Sequence, residues 1–138
     1  MAVTDYAVSG ADSWADNSSD QFVGVQGWLN TSTLSASAAR SDVAQKMSRG
    51  GTASKLRVRV VSSSVNGSVT VTLMKGSTAT ALTVTIPANT SSQIVENSLS
   101  SVSFSADDLL SWRIQLPNAG ASPPDTTFIQ WIACEIAE

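Results

Sequence analysis

The chain has no histidine, one cysteine and few charges, and each shortage removes a class of function. Without histidine, a Ser-His-Asp triad, a Cys-His pair and a His-ligated metal site are all excluded. The lone thiol, Cys134, cannot bridge within the chain. With no histidine base to activate it, it is read as a small buried apolar residue near the last strand. Charged residues make up 14 % of the 138 positions, against about 25 % in an average soluble domain. The net charge of −3 argues against generic nucleic-acid binding, which runs on phosphate neutralisation. No apolar run approaches the ~18 residues of a membrane span, so no membrane partner is expected. The opening Met1-Ala2-Val3-Thr4-Asp5-Tyr6 shows neither a basic n-region nor an apolar h-region, which predicts synthesis in the cytoplasm and action there or in something assembled there.

The carboxylates do not supply what histidine withholds. Asp107 and Asp108 are the one adjacent pair, and at a strand entry they would point to opposite faces. Their expected role is turn chemistry ahead of the Leu110 strand. Asp12, Asp16 and Asp20 lack calcium-loop spacing, its glycine and its terminal glutamate, and no glycine-rich phosphate loop follows a strand. The expectation is a protein that is not an enzyme, with no catalytic, cofactor-binding or metal-ligating residues.

What the sequence does have is alternation. Leu56/Val58/Val60, Val69/Val71/Leu73 and Leu82/Val84/Ile86 each line one face at period two, with Arg57, Arg59, Thr70, Thr72, Thr83 and Thr85 on the other. Asn66-Gly67 separates the first two runs and Lys75-Gly76-Ser77 the last two, so the stretch reads as a three-stranded antiparallel meander closed by Pro87. Further strands are expected at Gln21–Leu29, Gln93–Glu96, Val102–Phe104, Leu110–Leu116 and Phe128–Ile136. In Thr31–Arg49, Leu34, Ala38, Val43 and Met47 have nearly helical spacing, while Val43, Gln45 and Met47 also alternate as a strand would. The Ser and Thr crowding the first half favour loop plus strand. Ser and Thr fill 37 of 138 positions, which suits exposed strand faces and loops. About eight short strands at regular spacing describe an all-β, antiparallel, jelly-roll-like β-sandwich over residues 21–138. Residues 1–20 show no strand period and are expected to form an extended N-terminal arm outside it.

A low-charge surface costs little to desolvate against neighbours, as in an assembly. The charge is also uneven: Asp5, Asp12, Asp16 and Asp20 make the first twenty residues acidic, while Arg40, Lys46, Arg49, Lys55, Arg57 and Arg59 form a basic stretch. An acidic arm lying on a basic face is one way to join subunits. The candidate interaction residues are accordingly Tyr6, Val8, Trp14 and Trp28, with Arg40, Lys46 and Arg49. Trp14, Trp28, Trp112 and Trp131 are each open to two readings, sugar-stacking platform or core and interface packing, and the apolar context of Trp112 and Trp131 favours packing.

Several segments in order carry a resemblance. They are Gln21-Phe22-Val23-Gly24-Val25, then Gly50-Gly51-Thr52-Ala53-Ser54-Lys55-Leu56-Arg57-Val58-Arg59-Val60, then Ser68-Val69-Thr70-Val71-Thr72-Leu73, Ala79-Thr80-Ala81-Leu82-Thr83-Val84-Thr85-Ile86 and Val102-Ser103-Phe104-Ser105-Ala106-Asp107-Asp108-Leu109-Leu110-Ser111-Trp112. From about residue 21 onwards the chain resembles the jelly-roll module of tailed-bacteriophage virion proteins, most of all capsid decoration (cement) proteins. Met74-Lys75-Gly76 stands where that pattern has an Asn-Gly turn. The resemblance implies a structural virion protein, made in the host cytoplasm, that binds the major capsid protein on the outer head surface, stabilises the capsid and associates with itself as a homotrimer. The alternative it implies is a receptor- or glycan-binding tip module of a tail fibre or spike, against which counts the lack of any heptad, collagen-like or β-helical stalk. A glycan-active enzyme is a distant third reading, disfavoured by the missing acid/base pair.

Overall fold

The computed structural model describes residues 3–9, 12–15, 20–25, 43–117 and 126–138, and among them every regular element is a β-strand. In chain order these are β1 (Val3–Ser9), β2 (Asp12–Ala15), β3 (Gln21–Gly24), β4 (Gln45–Lys46), β5 (Gly51–Ser63), β6 (Val69–Lys75), β7 (Thr78–Ile86), β8 (Ser91–Phe104), β9 (Leu109–Gln115) and β10 (Thr126–Ala137). The first sheet runs β1-β10-β5-β8, with β2 also paired to β10; the second runs β3-β9-β6-β7, with β4 also paired to β9. All pairings are antiparallel. Apart from the short β2 and β4, consecutive strands lie in opposite sheets everywhere except at the β6–β7 hairpin. That order is jelly-roll-like, as the sequence suggested.

The alternating runs become the inner faces. Leu56, Val58, Val60, Ile129 and Ile132 of the first sheet meet Val71, Leu73, Leu82, Trp112 and Ile114 of the second, all buried in one core. Each large apolar side chain so placed contributes about 1.5–3 kcal/mol of transfer free energy, and the core needs no disulfide or metal to account for it.

Two expectations are corrected. The Leu56, Val69 and Leu82 runs do not form one meander. Only the second link is a hairpin: Lys75 pairs with Thr78 across Gly76-Ser77, and Gly76 has φ +57°, the backbone that a two-residue turn with glycine first requires. At Asn66-Gly67 the chain instead leaves the first sheet for the second. There glycine is needed for space, since a Cβ on Gly67 would lie 2.8 Å from Pro117 Cγ and 2.9 Å from its Cβ. Nor do the described strands within residues 1–20 form an arm outside the sandwich: β1 and β2 are hydrogen-bonded to β10, with Tyr6 opposite Glu135 and Trp14 opposite Thr127.

Smaller differences follow from long-range pairing. Gln93–Glu96 and Val102–Phe104 belong to one 14-residue strand, β8. Thr72 is buried, its hydroxyl 2.8 Å from that of Thr83. Most of the Thr31–Arg49 stretch lies outside the described residues, and its described end contributes the two-residue β4.

Side chains tie both margins of the sandwich. On one side the buried Ser9 hydroxyl donates to the Gly24 carbonyl, linking β1 to β3. On the other, Asn97 of β8 donates from Nδ2 to the Thr83 carbonyl of β7 at 2.8 Å. Both margins are sheet edges, whose unpaired backbone groups would otherwise template association.

Candidate interaction surfaces

Strand β8 carries the most exposed large apolar side chain among the described residues. Its pairing with β5 breaks between Ser54–Ser101 and Leu56–Asn97, so Ser98, Leu99 and Ser100 stand opposite Lys55 alone. Lys55 takes φ +51° to accommodate them, an unusual backbone for a residue with a Cβ. The bulge is held by one side chain. Asn97 Oδ1 accepts from the backbone N–H of Leu99 at 3.1 Å and of Ser100 at 3.0 Å, while Nδ2 donates to Ser100 Oγ and to β7. At its tip Leu99 is 98 % exposed. Between the bulge and β7 runs a groove of about 440 Å³ lined by Thr83, Val84, Thr85, Val95 and Leu99 among others.

The outer face of the first sheet is a second surface. Across it, Val8, Ala133, Arg57 and Glu96 stand in register on β1, β10, β5 and β8, and beside them Trp131, Arg59 and Ile94 form a second row. Tyr6 is 58 % exposed, and Val8 and Ile94 are about half exposed. Lys55 Nζ lies 3.0 Å from Glu135 and Arg57 Nε 2.9 Å from Glu96. Arg59 donates to Ser92 Oγ at 3.2 Å. A dent of about 120 Å³ opens over Ala133 between Tyr6, Trp131, Arg57 and the Lys55–Glu135 pair.

Of the seven residues proposed from sequence, the structure brings Tyr6 and Val8 together on this face. Trp14 sits on β2, on the far side of β10 from β5. Trp28 and Arg40 lie outside the described residues. Lys46 and Arg49 are exposed and paired with Asp107 and Glu138. The basic stretch thus meets carboxylates of β8, β10, the β8–β9 turn and Glu138 just after β10: four of its cations, Lys46, Arg49, Lys55 and Arg57, are paired with Asp107, Glu138, Glu135 and Glu96. The Asp107-Asp108 turn forms as expected, with Asp107 at φ +72° and Asp108 Oδ2 accepting from the Ser105 N–H at 2.7 Å. That bond, with Lys75 at 3.0 Å, holds the Asp108 carboxyl below its ordinary pKa. Cys134 faces inward, and burial pushes its thiol up to about 12.

Sequence reading missed Asn97, Leu99 and Ala133. The first two had a local signal, since Asn97-Ser98-Leu99-Ser100 interrupts the alternation with a residue type that hydrogen-bonds its own following backbone. Ala133 and the outward placement of Trp131 had none, because the run from Phe128 to Ile136 is apolar at nearly every position. No protein-family model, curated protein or solved structure matches the chain.

Proposed function

We propose that this chain is a structural virion protein, a capsid decoration protein of a tailed bacteriophage that binds the major capsid protein on the outer head surface as a homotrimer. The observation that carries the reading is Leu99. An aliphatic side chain that is 98 % exposed on a bulge pinned by its own Asn97 gains free energy only when a partner covers it. Because the bulge is already ordered, docking spends little entropy in fixing it. The jelly-roll-like strand order supports the same reading, being the fold that the sequence resemblance implied and one shared by viral capsid domains. Fold alone does not assign function, which is why the exposed leucine matters more. The groove beside it supplies the part-exposed Val95 as a further apolar contact.

The test is attachment to purified heads that lack this protein. Wild-type chain should bind in many copies and raise the temperature at which the heads open. Leu99→Ser should fold normally and lose at least about tenfold in affinity, the cost of one well-covered apolar anchor. A few copies located on the tail, with none on the head, would replace this reading with the tip-module one. Light scattering giving a monomer at working concentration would remove the trimer.

A further inference from the structure

The dent on the outer face of the first sheet lies over β1, β10 and β5; it touches the Leu99 bulge on β8 through Lys55, shares no lining residue with the groove beside that bulge, and differs from it in kind. Its floor is Ala133, a small side chain flanked in register by Val8 and Arg57. Tyr6 and Trp131 form two walls, and Lys55, Glu135 and Arg57 form the rim. At about 120 Å³ it is well under the roughly 300–1,000 Å³ of a site that encloses a whole small molecule. It has room for one ring-sized group of a longer ligand lying across the sheet.

Two features decide what that group is. The walls are aromatic side chains, which pack well against apolar C–H surface, while the rim presents donors on Lys55 and Arg57 and an acceptor on Glu135. An aliphatic protein side chain would fill the dent but would cover the charged rim without replacing its hydrogen bonds to water, a net cost. A pyranose ring has an apolar face for the walls and a ring of hydroxyls that both donate and accept for the rim. Charge then narrows the class. Glu135 and Glu96 are each ion-paired, with Lys55 and Arg57. Arg59, in register with Trp131 on the same face, donates to the Ser92 hydroxyl and faces no carboxylate among the described contacts. Among the described side chains, the face therefore carries three cations, Lys55, Arg57 and Arg59, against two carboxylates, Glu96 and Glu135, beside an aromatic wall.

We propose that this face is a binding site for a carboxylate-bearing saccharide, one sugar ring seated over Ala133 between Tyr6 and Trp131 and its carboxylate on Arg59. A planar guanidinium suits that role because it can bond a carboxylate through two N–H groups at once. The site does not depend on where in a virion the chain sits, nor on Leu99.

The test is an NMR titration of the isotope-labelled full chain with three probes: a hyaluronan tetrasaccharide, sialyllactose and neutral chitotetraose. At least one acidic probe should shift amides of Tyr6, Arg57, Arg59, Trp131 and Ala133, and bind about tenfold more tightly than chitotetraose. Trp131→Ala should weaken acidic-probe binding about tenfold. Should that variant fold poorly, Ala133→Leu fills the dent from an outward position and should weaken binding as much. Arg59→Gln should bring acidic and neutral probes to within about twofold of each other, and Leu99→Ser should change nothing. The proposal is overturned if neither acidic probe shifts this face at 20 mM, if the shifts fall elsewhere, or if filling the dent leaves affinity intact. It is also overturned if Trp131→Ala releases the chain from heads as strongly as Leu99→Ser does, because the face would then be a protein contact.

Discussion

Arg57 and Val58 are neighbours in the chain and opposites in the fold. Val58 is fully buried between the sheets, while Arg57 stands outward at the rim of the dent, its Nε on Glu96. The same alternation continues to Arg59 and Val60, and on β10 from Ala133 to Cys134. One face of the first sheet therefore holds the molecule together and the other is free to vary for binding. A strand separates the two duties with a step of one residue.

The largest expected effect comes from crossing that divide at β5. Val58→Asp removes about 1.5–3 kcal/mol of apolar burial and places a carboxylate where no partner exists, a further cost of several kcal/mol. Against a total stability of about 5–15 kcal/mol, the variant should be insoluble or unfolded by circular dichroism. Arg57→Ala, one residue away, loses only an exposed ion pair and should unfold within about 0.5 kcal/mol of wild type. A soluble Val58→Asp chain with an unchanged melt would mean that the faces have been assigned the wrong way round.

Two glycine turns sharpen the comparison, since they deliver strands to the same core in different ways. Gly67→Ala forces a Cβ against the Pro117 ring at 2.8 Å and should cost about 1–3 kcal/mol, as overpacking does. Gly76→Ala has open space around it and pays only for a left-handed backbone, about 1 kcal/mol. Chemical denaturation of both should rank Gly67→Ala as the more damaging. The reverse order would mean that the sheet-to-sheet crossing yields more easily than the hairpin.

These turns also show where the sequence stops being informative. Both read as hairpins, because glycine reports that the chain bends and not which sheet receives the next strand. That choice is made by pairing with β8, β9 and β10, and the partners lie far apart in the chain, as Thr52 of β5 does from Ala137 of β10 opposite it. Strand positions from Lys55 to Ile86 and from Leu110 to Leu116 were legible because large apolar residues fill the inner positions. Residues Val3–Ser9 were not, and the reason is specific. From Tyr6 to Ser9 the inward positions are the small Ala7 and Ser9 and the outward ones are Tyr6 and Val8, so the hydrophobic pattern there is inverted, and the segment is recognisable as a strand only from its ladder to β10. For the candidate surfaces, Tyr6 and Val8 stood out in the sequence as apolar side chains in a segment without strand period, and both are exposed on the outer face of the first sheet. The outward placement of the part-buried Trp131 was not legible, because a nearly all-apolar run hides which of its residues face out.

The smallest effect lies at Cys134 and Ala133, where the divide can be tested without disturbing stability much. The native thiol faces the core, and burial raises its pKa to about 12, whereas in the unfolded chain it should ionise near ~8.5. The folded state therefore holds the proton that the unfolded state releases. This contribution to stability is fully present below the unfolded pKa, erodes as pH rises beyond it, and is gone by about pH 12. The denaturation midpoint of wild type should fall more between pH 8 and pH 10.5 than that of Cys134→Ala, in which every other titrating group is retained. Reactivity gives the same answer from the other side. At pH 8 an alkylating reagent should modify native Cys134 no faster than the chain unfolds, while a thiol moved one position outward, Ala133→Cys in a Cys134→Ala background, should react at once. Equal rates for the two would mean that β10 does not present opposite faces at these positions, and the dent over Ala133 would lose its floor.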